Sequence, residues 1–166
     1  MIFGRRSIRI YTPGEISQEA VTTLLEAAMA APSAMTKDPW RFVVVREPQT
    51  LARLAEGLPG GKMLATAALA IAVAGDLDAA FEGQLSYLLQ DCSAAIENLL
   101  LCAHSLGLGA CWVGVHPAKD SVRLVRELLG LPRPVLPVAV IALGHPGEVL
   151  EARTRFNQAH VHYGKW

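Results

Sequence analysis

Three arginines and a serine stand close together near the start of the chain: Arg5, Arg6, Ser7 and Arg9. No acidic residue interrupts them before Glu15. A guanidinium presents its N–H donors as a planar fork that meets phosphate or carboxylate oxygens two at a time. A serine hydroxyl adds a further donor. Far along the chain, Arg153 and Arg155 are separated by one residue, so in an extended segment both point the same way. Two readings stand at this point. The arginines hold an anion, or they form a solvated basic surface, as most exposed charges do. Spacing alone does not bring the two clusters together.

No other constellation supplies a reactive group. The chain has no GxSxG and no HExxH. His160-x-His162 lacks a third ligand, and Cys111 and His116 have no partner at metal-binding spacing, so no metal is expected. No paired carboxylates mark a glycosidase-like site. Gly107-Leu108-Gly109 with Gly114 suggests a dinucleotide loop, but a Rossmann fingerprint needs strand, glycine turn and then helix. Here the glycines follow a helical pattern and precede a strand pattern, which reads as a helix C-cap.

Those residues need elements to position them, and the dominant one is a helix from about Gln84 to Ser105. Its apolar residues fall at Leu85, Leu88, Leu89, Cys92, Ala95, Ile96, Leu99, Leu100, Ala103 and Leu106, a sustained three-then-four spacing. Such a helix is roughly 30 Å long. It is the spine of the core, of a subunit interface, or of both. Before it, Ser17 caps a helix carrying Val21, Leu24, Leu25 and Ala28, which Pro32 ends. Tyr11-Thr12-Pro13-Gly14 reads as a turn. Ser33 to Pro39 is a polar loop. Trp40 to Arg46 and Ala67 to Ala74 are strands around a short helix from Gln49 to Glu56. After the long helix come a strand at Ala110 to Val115, a helix over 119–129 with Gly130 at its end, and a last strand at Val138 to Leu143. From Gly144 onward there is no periodicity, and the tail reads as an arm that docks on something.

Bulk properties bound the function. The 166 residues carry 15 basic and 15 acidic side chains, with no basic run to attract nucleic acid or an anionic membrane. The longest apolar run, Met63 to Gly75, is too short to span a bilayer. No apolar stretch follows Arg5 and Arg6, so a signal peptide is not expected. Three cysteines with no CxxC suit reduced thiols in a cytoplasm. No linker, repeat or low-complexity tract divides residues 1–166, so one domain is expected. With 52% of residues in the hydrophobic class, oligomerisation is the expected way to hide the surplus.

Four stretches in order resemble the FMN-dependent nitroreductase family in its short form. They are Arg5-Arg6-Ser7-Ile8-Arg9-Ile10-Tyr11; Ala31-Pro32-Ser33-Ala34 with Pro39-Trp40-Arg41-Phe42; the long helix with Gly107-Leu108-Gly109-Ala110-Cys111-Trp112-Val113-Gly114; and Leu143-Gly144-His145-Pro146 followed by Arg153 and Arg155. The resemblance implies an α+β fold, with a mixed, mainly antiparallel sheet flanked by helices. It implies a homodimer whose long central helices pack on each other and whose C-terminal arms exchange, with one FMN in each of two interface clefts. On this basis much of Leu85 to Ala103 is expected to pack against its own copy, with one face left for the sheet.

By the same resemblance, Arg5, Ser7 and Arg9 contact the FMN phosphate and ribityl chain, with Arg6 alongside near the pyrimidine edge. Arg153 and Arg155 join them at the phosphate. Pro32, Ser33, Ala34 and Thr36 line the isoalloxazine from the partner subunit. Val113 and Gly114 face flavin N5 with their backbone, and Gly144 passes the cofactor. No catalytic side chain is implied, because the chemistry resides in the flavin. The implied reaction is ping-pong, from NADH or NADPH through FMN to a small acceptor such as a nitroaromatic or quinone. Thr36 and Asp38 replace the family's asparagine and glutamine. Asp38 accepts hydrogen bonds only, so it is expected to pair with a neighbouring arginine. The stretch from Asp76 to Gly83 is short, so the cleft is expected to be open. A carrier or sensor that binds flavin without turnover is the alternative reading. A plain nucleotide-binding α/β module is the third, and the reversed glycine order opposes it.

Overall fold

The computed structural model describes residues 1–166. Its elements run β1 (Tyr11–Thr12), α1 (Gln18–Met29), β2 (Trp40–Val45), α2 (Pro48–Gly57), β3 (Leu69–Asp76), α3 (Leu85–Ser105), β4 (Gly109–Gly114), α4 (Lys119–Leu129) and β5 (Val135–Pro146). Local chemistry explains the helix ends. The Ser17 side chain accepts the Ala20 N–H and starts α1. Pro48 opens α2, with the Glu47 carboxylate accepting the Gln49 N–H. At the end of α3, the N–H groups of Leu108 and Gly107 donate to Ala103 O and His104 O, with Gly107 at a left-handed φ of 73°. That is the paired-bond glycine cap foreseen for it. Gly130, at φ 65°, ends α4 in the left-handed region.

All strand pairs are antiparallel, with order β1-β5-β3-β2 and β4 also paired to β5. A single parallel bridge between Ser7 and Ala110 makes the sheet mixed. This is the expected α+β architecture. Successive residues of β3 face opposite ways, and both faces are covered. Leu69, Ile71 and Val73 join a core with α1 and α3. Ala70 and Ala72 join a second core with α2 and α4. Burial on both faces explains why β3 reads as one continuous apolar run.

The strands are longer than the sequence pattern suggests. Tyr11–Thr12 is a short strand against His145 and Pro146, not the start of a turn. Gly75 and Asp76 continue β3 beyond Ala74. β5 spans Val135–Pro146 and lies inside the sheet, with β3 and β4 as neighbours. Pro137 is tolerated there because it opposes Ala74 at a register shift, before the β4 pairing begins at Ala139. A proline needs such a position, having no N–H for a second neighbour. The loops also carry short 3₁₀ turns at Ala34–Thr36, Lys62–Thr66 and Phe81–Gly83.

The apolar stripe of α3 is used largely within the chain. Leu88, Cys92, Ala95, Ile96, Leu99, Leu100 and Ala103 are 0–2% exposed in a single copy. They lie against α1 and the sheet. This is the face left for the sheet, and only the remaining residues of Leu85 to Ala103 are left for a second copy. Only Leu85, Tyr87 and Leu106 remain well exposed, with Leu89 half-buried. α3 approaches the sheet very closely: a Cβ added at Gly75 would lie 2.4 Å from Leu88 Cγ. No helix is long and apolar enough to cross a membrane.

Candidate functional site

The arginine segment is held as a strand-like edge. Ser7 bridges to Ala110, and the Ile8 N–H donates to Ala110 O at 3.0 Å. Alternation then sends Ile8 into the core and leaves Ser7 and Arg9 on the other side. Gly109 permits the approach, because a Cβ there would lie 2.8 Å from Ile8 Cγ2. Tyr11 pins the far end, its hydroxyl donating to Ile8 O at 2.8 Å.

The two basic clusters meet. Arg5, Arg6, Ser7, Arg9, Arg153 and Arg155 line one open groove of about 430 Å³, with Leu150, Glu151 and Ala152. The seam is a hydrogen bond from Arg6 Nη2 to Arg153 O at 3.1 Å, across 147 residues. Arg6 Nη2 also donates to Phe3 O, while its Nε is buried without a partner. Arg5 Nε lies 3.3 Å from Glu97 Oε1. Glu148 Oε1 accepts the main-chain N–H groups of Arg9 at 2.6 Å and Ile10 at 3.1 Å. Arg9 Nη1 touches only Ser7 O, and neither Arg153 nor Arg155 has a carboxylate within ion-pair distance. The groove therefore carries uncompensated positive charge, which suits a polyanionic group such as phosphate.

The other expected residues lie elsewhere. Ala34 donates its N–H to Asp91 Oδ1 at 2.9 Å, which places Pro32, Ser33, Ala34 and Thr36 beside the first half of α3. The groove flanks the second half, where Glu97 holds Arg5 and Leu100 and His104 line an adjoining cleft. Asp91 and Glu97 are roughly 9 Å apart along the helix, and no residue of the loop lines the groove. The Asp38 carboxylate does not pair with an arginine either: it accepts from Ser33 Oγ, the Asp38 N–H donates back to Ser33 Oγ, and Arg41 Nη1 reaches only the main-chain O of Asp38 at 3.3 Å. Arg41 pairs with Asp76 at 3.0 Å instead. The loop is tightly wound, with Met35, Thr36 and Asp38 all at left-handed φ of 48–54°.

Val113 turns its side chain into the core and has only backbone to offer. Gly114 is open, with nothing within 4 Å of an added Cβ. It sits four residues beyond Ala110, roughly 13 Å along β4. Gly144 gives room to the Tyr11 ring, which a Cβ would meet at 2.7 Å. No three His, Cys, Asp or Glu side chains gather as metal ligands. Burial pushes all three thiols up, Cys92 to about 12, so none is an activated nucleophile.

Sequence reasoning missed Glu97, Glu148 and Asp91. Asp91 left a signal: it falls three residues after Leu88 and four before Ala95, on the apolar stripe, where a carboxylate is out of place. It is 5% exposed, and its Oδ2 has no partner. Glu97 and Glu148 left none, because their partners are distant in sequence.

Comparison with known proteins gives consistent results. The model of the nitroreductase family matches residues 2–58 and 57–145. An Archaeoglobus fulgidus protein provisionally named NADH dehydrogenase/NAD(P)H nitroreductase is 42% identical over all of this chain and 97% of its own length. An FMN-dependent nitroreductase from Clostridium difficile R20291 superposes with a TM-score of 0.91 at 31% identity, covering 100% of both chains. A Desulfovibrio desulfuricans protein described as a nitroreductase in complex with FMN gives 0.84 at 33% identity, covering 99% of this chain and 94% of that one.

Proposed function

The chain belongs to the nitroreductase family, and from that premise we propose that it is an NAD(P)H-dependent FMN oxidoreductase acting on a small acceptor. The observation that carries the reading is the convergence of five guanidiniums and the Ser7 hydroxyl on one groove. The donor set fits FMN. A phosphate dianion wants several charged donors, and Arg6 Nε is buried there without a partner. Arg5, Arg6, Ser7, Arg9, Arg153 and Arg155 would hold the phosphate and ribityl end. Bound FMN supplies hydride chemistry, by turns from NADH or NADPH and to a nitroaromatic or quinone, in a ping-pong cycle.

The rest of the site is assigned to a homodimer of this single 1–166 domain. No residue of the Pro32–Thr36 loop lines the groove of its own chain, so a two-fold axis across α3 would set the partner's Pro32–Thr36 segment against it. Backbone at Val113, Gly114 and Gly144 would border the ring. The C-terminal arm, with Val149, Phe156, Tyr163 and Trp166 exposed, would cross to the second copy. No side chain is needed as acid or base, and these residues bind, orient and exclude water. The reduced thiols suit a cytoplasmic location.

Purified protein tests this. The expected result is a yellow dimer with one FMN per chain, bleached anaerobically by NADH or NADPH and recoloured by nitroaromatic or quinone. A yellow protein that neither nicotinamide bleaches is a flavin carrier or sensor of the same fold. A colourless monomer that takes up no FMN defeats both readings. Arg5→Ala and Arg153→Ala should each weaken FMN about tenfold or more, the scale of a lost charged hydrogen bond, with unchanged circular dichroism. Wild-type affinity in both variants would remove the phosphate assignment.

A further inference from the structure

The groove depends on a residue that does not line it. Glu97 stands midway along α3, about half exposed, and contacts Arg5 through Nε at 3.3 Å. No hydrogen bond within the chain engages the two Nη groups of Arg5, which lines the groove. Glu148 plays a complementary part for Arg9. It holds the main-chain N–H groups of Arg9 and Ile10, leaving the Arg9 side chain exposed beside the groove. Two carboxylates thus brace the arginine segment, one through a side chain and one through the backbone.

A carboxylate near an anion site has two opposed effects. Its charge repels the anion. Its ion pair orients the arginine before binding, so fewer rotatable bonds are frozen when the anion arrives. Glu97 lies 3.3 Å from Arg5 Nε but does not line the groove, so distance and salt weaken the repulsion more than the pairing. We propose that Glu97 is a positioning residue for the phosphate site: it anchors Arg5 Nε so that the Nη pair faces the groove, and orientation outweighs repulsion. This rests on the flavin reading above, and it assigns a function to a helix residue otherwise free to be any polar type.

The test compares FMN with riboflavin, which lacks the phosphate, on flavin-stripped full-length protein. Affinities are measured by fluorescence quenching for the wild type, Glu97→Ala and Glu97→Gln. Glu97→Ala is expected to weaken FMN about tenfold, the scale of one charged contact, and to leave riboflavin within about twofold. Glu97→Gln removes the charge that pairs with Arg5 and keeps the side chain's size, and it is expected to weaken FMN as the alanine variant does. Three results overturn the proposal: FMN unchanged or tighter in Glu97→Ala, so that repulsion dominates; FMN and riboflavin weakened alike, which marks general damage; or wild-type FMN binding in Glu97→Gln, so that the charge is not what positions Arg5. If the wild type itself binds no FMN, the flavin reading fails and this proposal with it. Wild-type binding with an unaffected alanine variant removes this proposal alone.

Discussion

Arg6 shows how a single residue ties the site together. One nitrogen closes a turn onto Phe3 O, and the same nitrogen reaches Arg153 O, while Nε is left buried and unpaired. A buried donor without a partner is costly, and an anion in the groove would relieve it. The cysteines are the opposite case. Burial, and then the Asp91 carboxylate beside it, push the Cys92 thiol from an ordinary 9.0 up to about 12. Burial also raises Cys111 and Tyr11. These groups stay protonated in the folded chain at pH values where the unfolded chain has lost the protons. Above about pH 9 the unfolded state therefore binds fewer protons, and stability falls with pH. Thermal unfolding should give a Tm that is flat with respect to these groups below pH 8 and declines between about pH 9 and 12. Alkylation at pH 8 in the native state should modify half-buried Cys102 ahead of Cys92 and Cys111. Early loss of the Cys92 thiol would contradict that order.

Among the elements, α3 and β5 carry the architecture. α3 lies so close to β3 that only a glycine fits at position 75, and no φ requirement is involved. Gly75→Ala places a Cβ 2.4 Å from Leu88 Cγ. Leu88 is fully buried and cannot swing away freely. The substitution should cost about 1–3 kcal/mol, the range for overpacking a filled core, readable as a lower urea midpoint with unchanged m-value. A change under a few tenths of a kcal/mol would mean that the helix shifts without strain. The existence of α3, its bounds and its glycine cap were legible in sequence, because periodicity and capping involve neighbours within one turn. The use of its stripe was not: periodicity marks an apolar face without saying which surface covers it. For β5 the apolar core of the strand was legible, but not its full length, because pairing partners on both sides extend it.

Over the whole molecule, apolar groups left outside the two cores concentrate at the chain's ends. Met1, Ile2 and Phe3 are 70–72% exposed, and Val149, Phe156, Tyr163 and Trp166 are 71–101% exposed. Scattered exposed apolar residues are ordinary, but a run of them along one extended arm beside the groove suits burial against a second copy. Under the dimer reading, a chain ending at Arg155 should dissociate at concentrations where the full chain is dimeric, and it should lose FMN in parallel. Sedimentation equilibrium and flavin absorbance check the two effects together. A truncated chain that remains a flavin-loaded dimer would show that the arm contributes neither.

Composition and pattern were enough for the helix bounds and the strand cores, and motifs in order carried the resemblance to the family. Each of those depends on local spacing or on motifs preserved in order. Folding supplied the rest. It closed 147 residues between Arg6 and Arg153, set Glu97 and Glu148 against the arginine segment, and gave Asp38 to Ser33 instead of to an arginine. It also left the Pro32–Thr36 loop outside the groove that the arginines line. These relations depend on register across the sheet and on which faces meet. No spacing along the chain encodes them, because the partners are neighbours only after the sheet has formed.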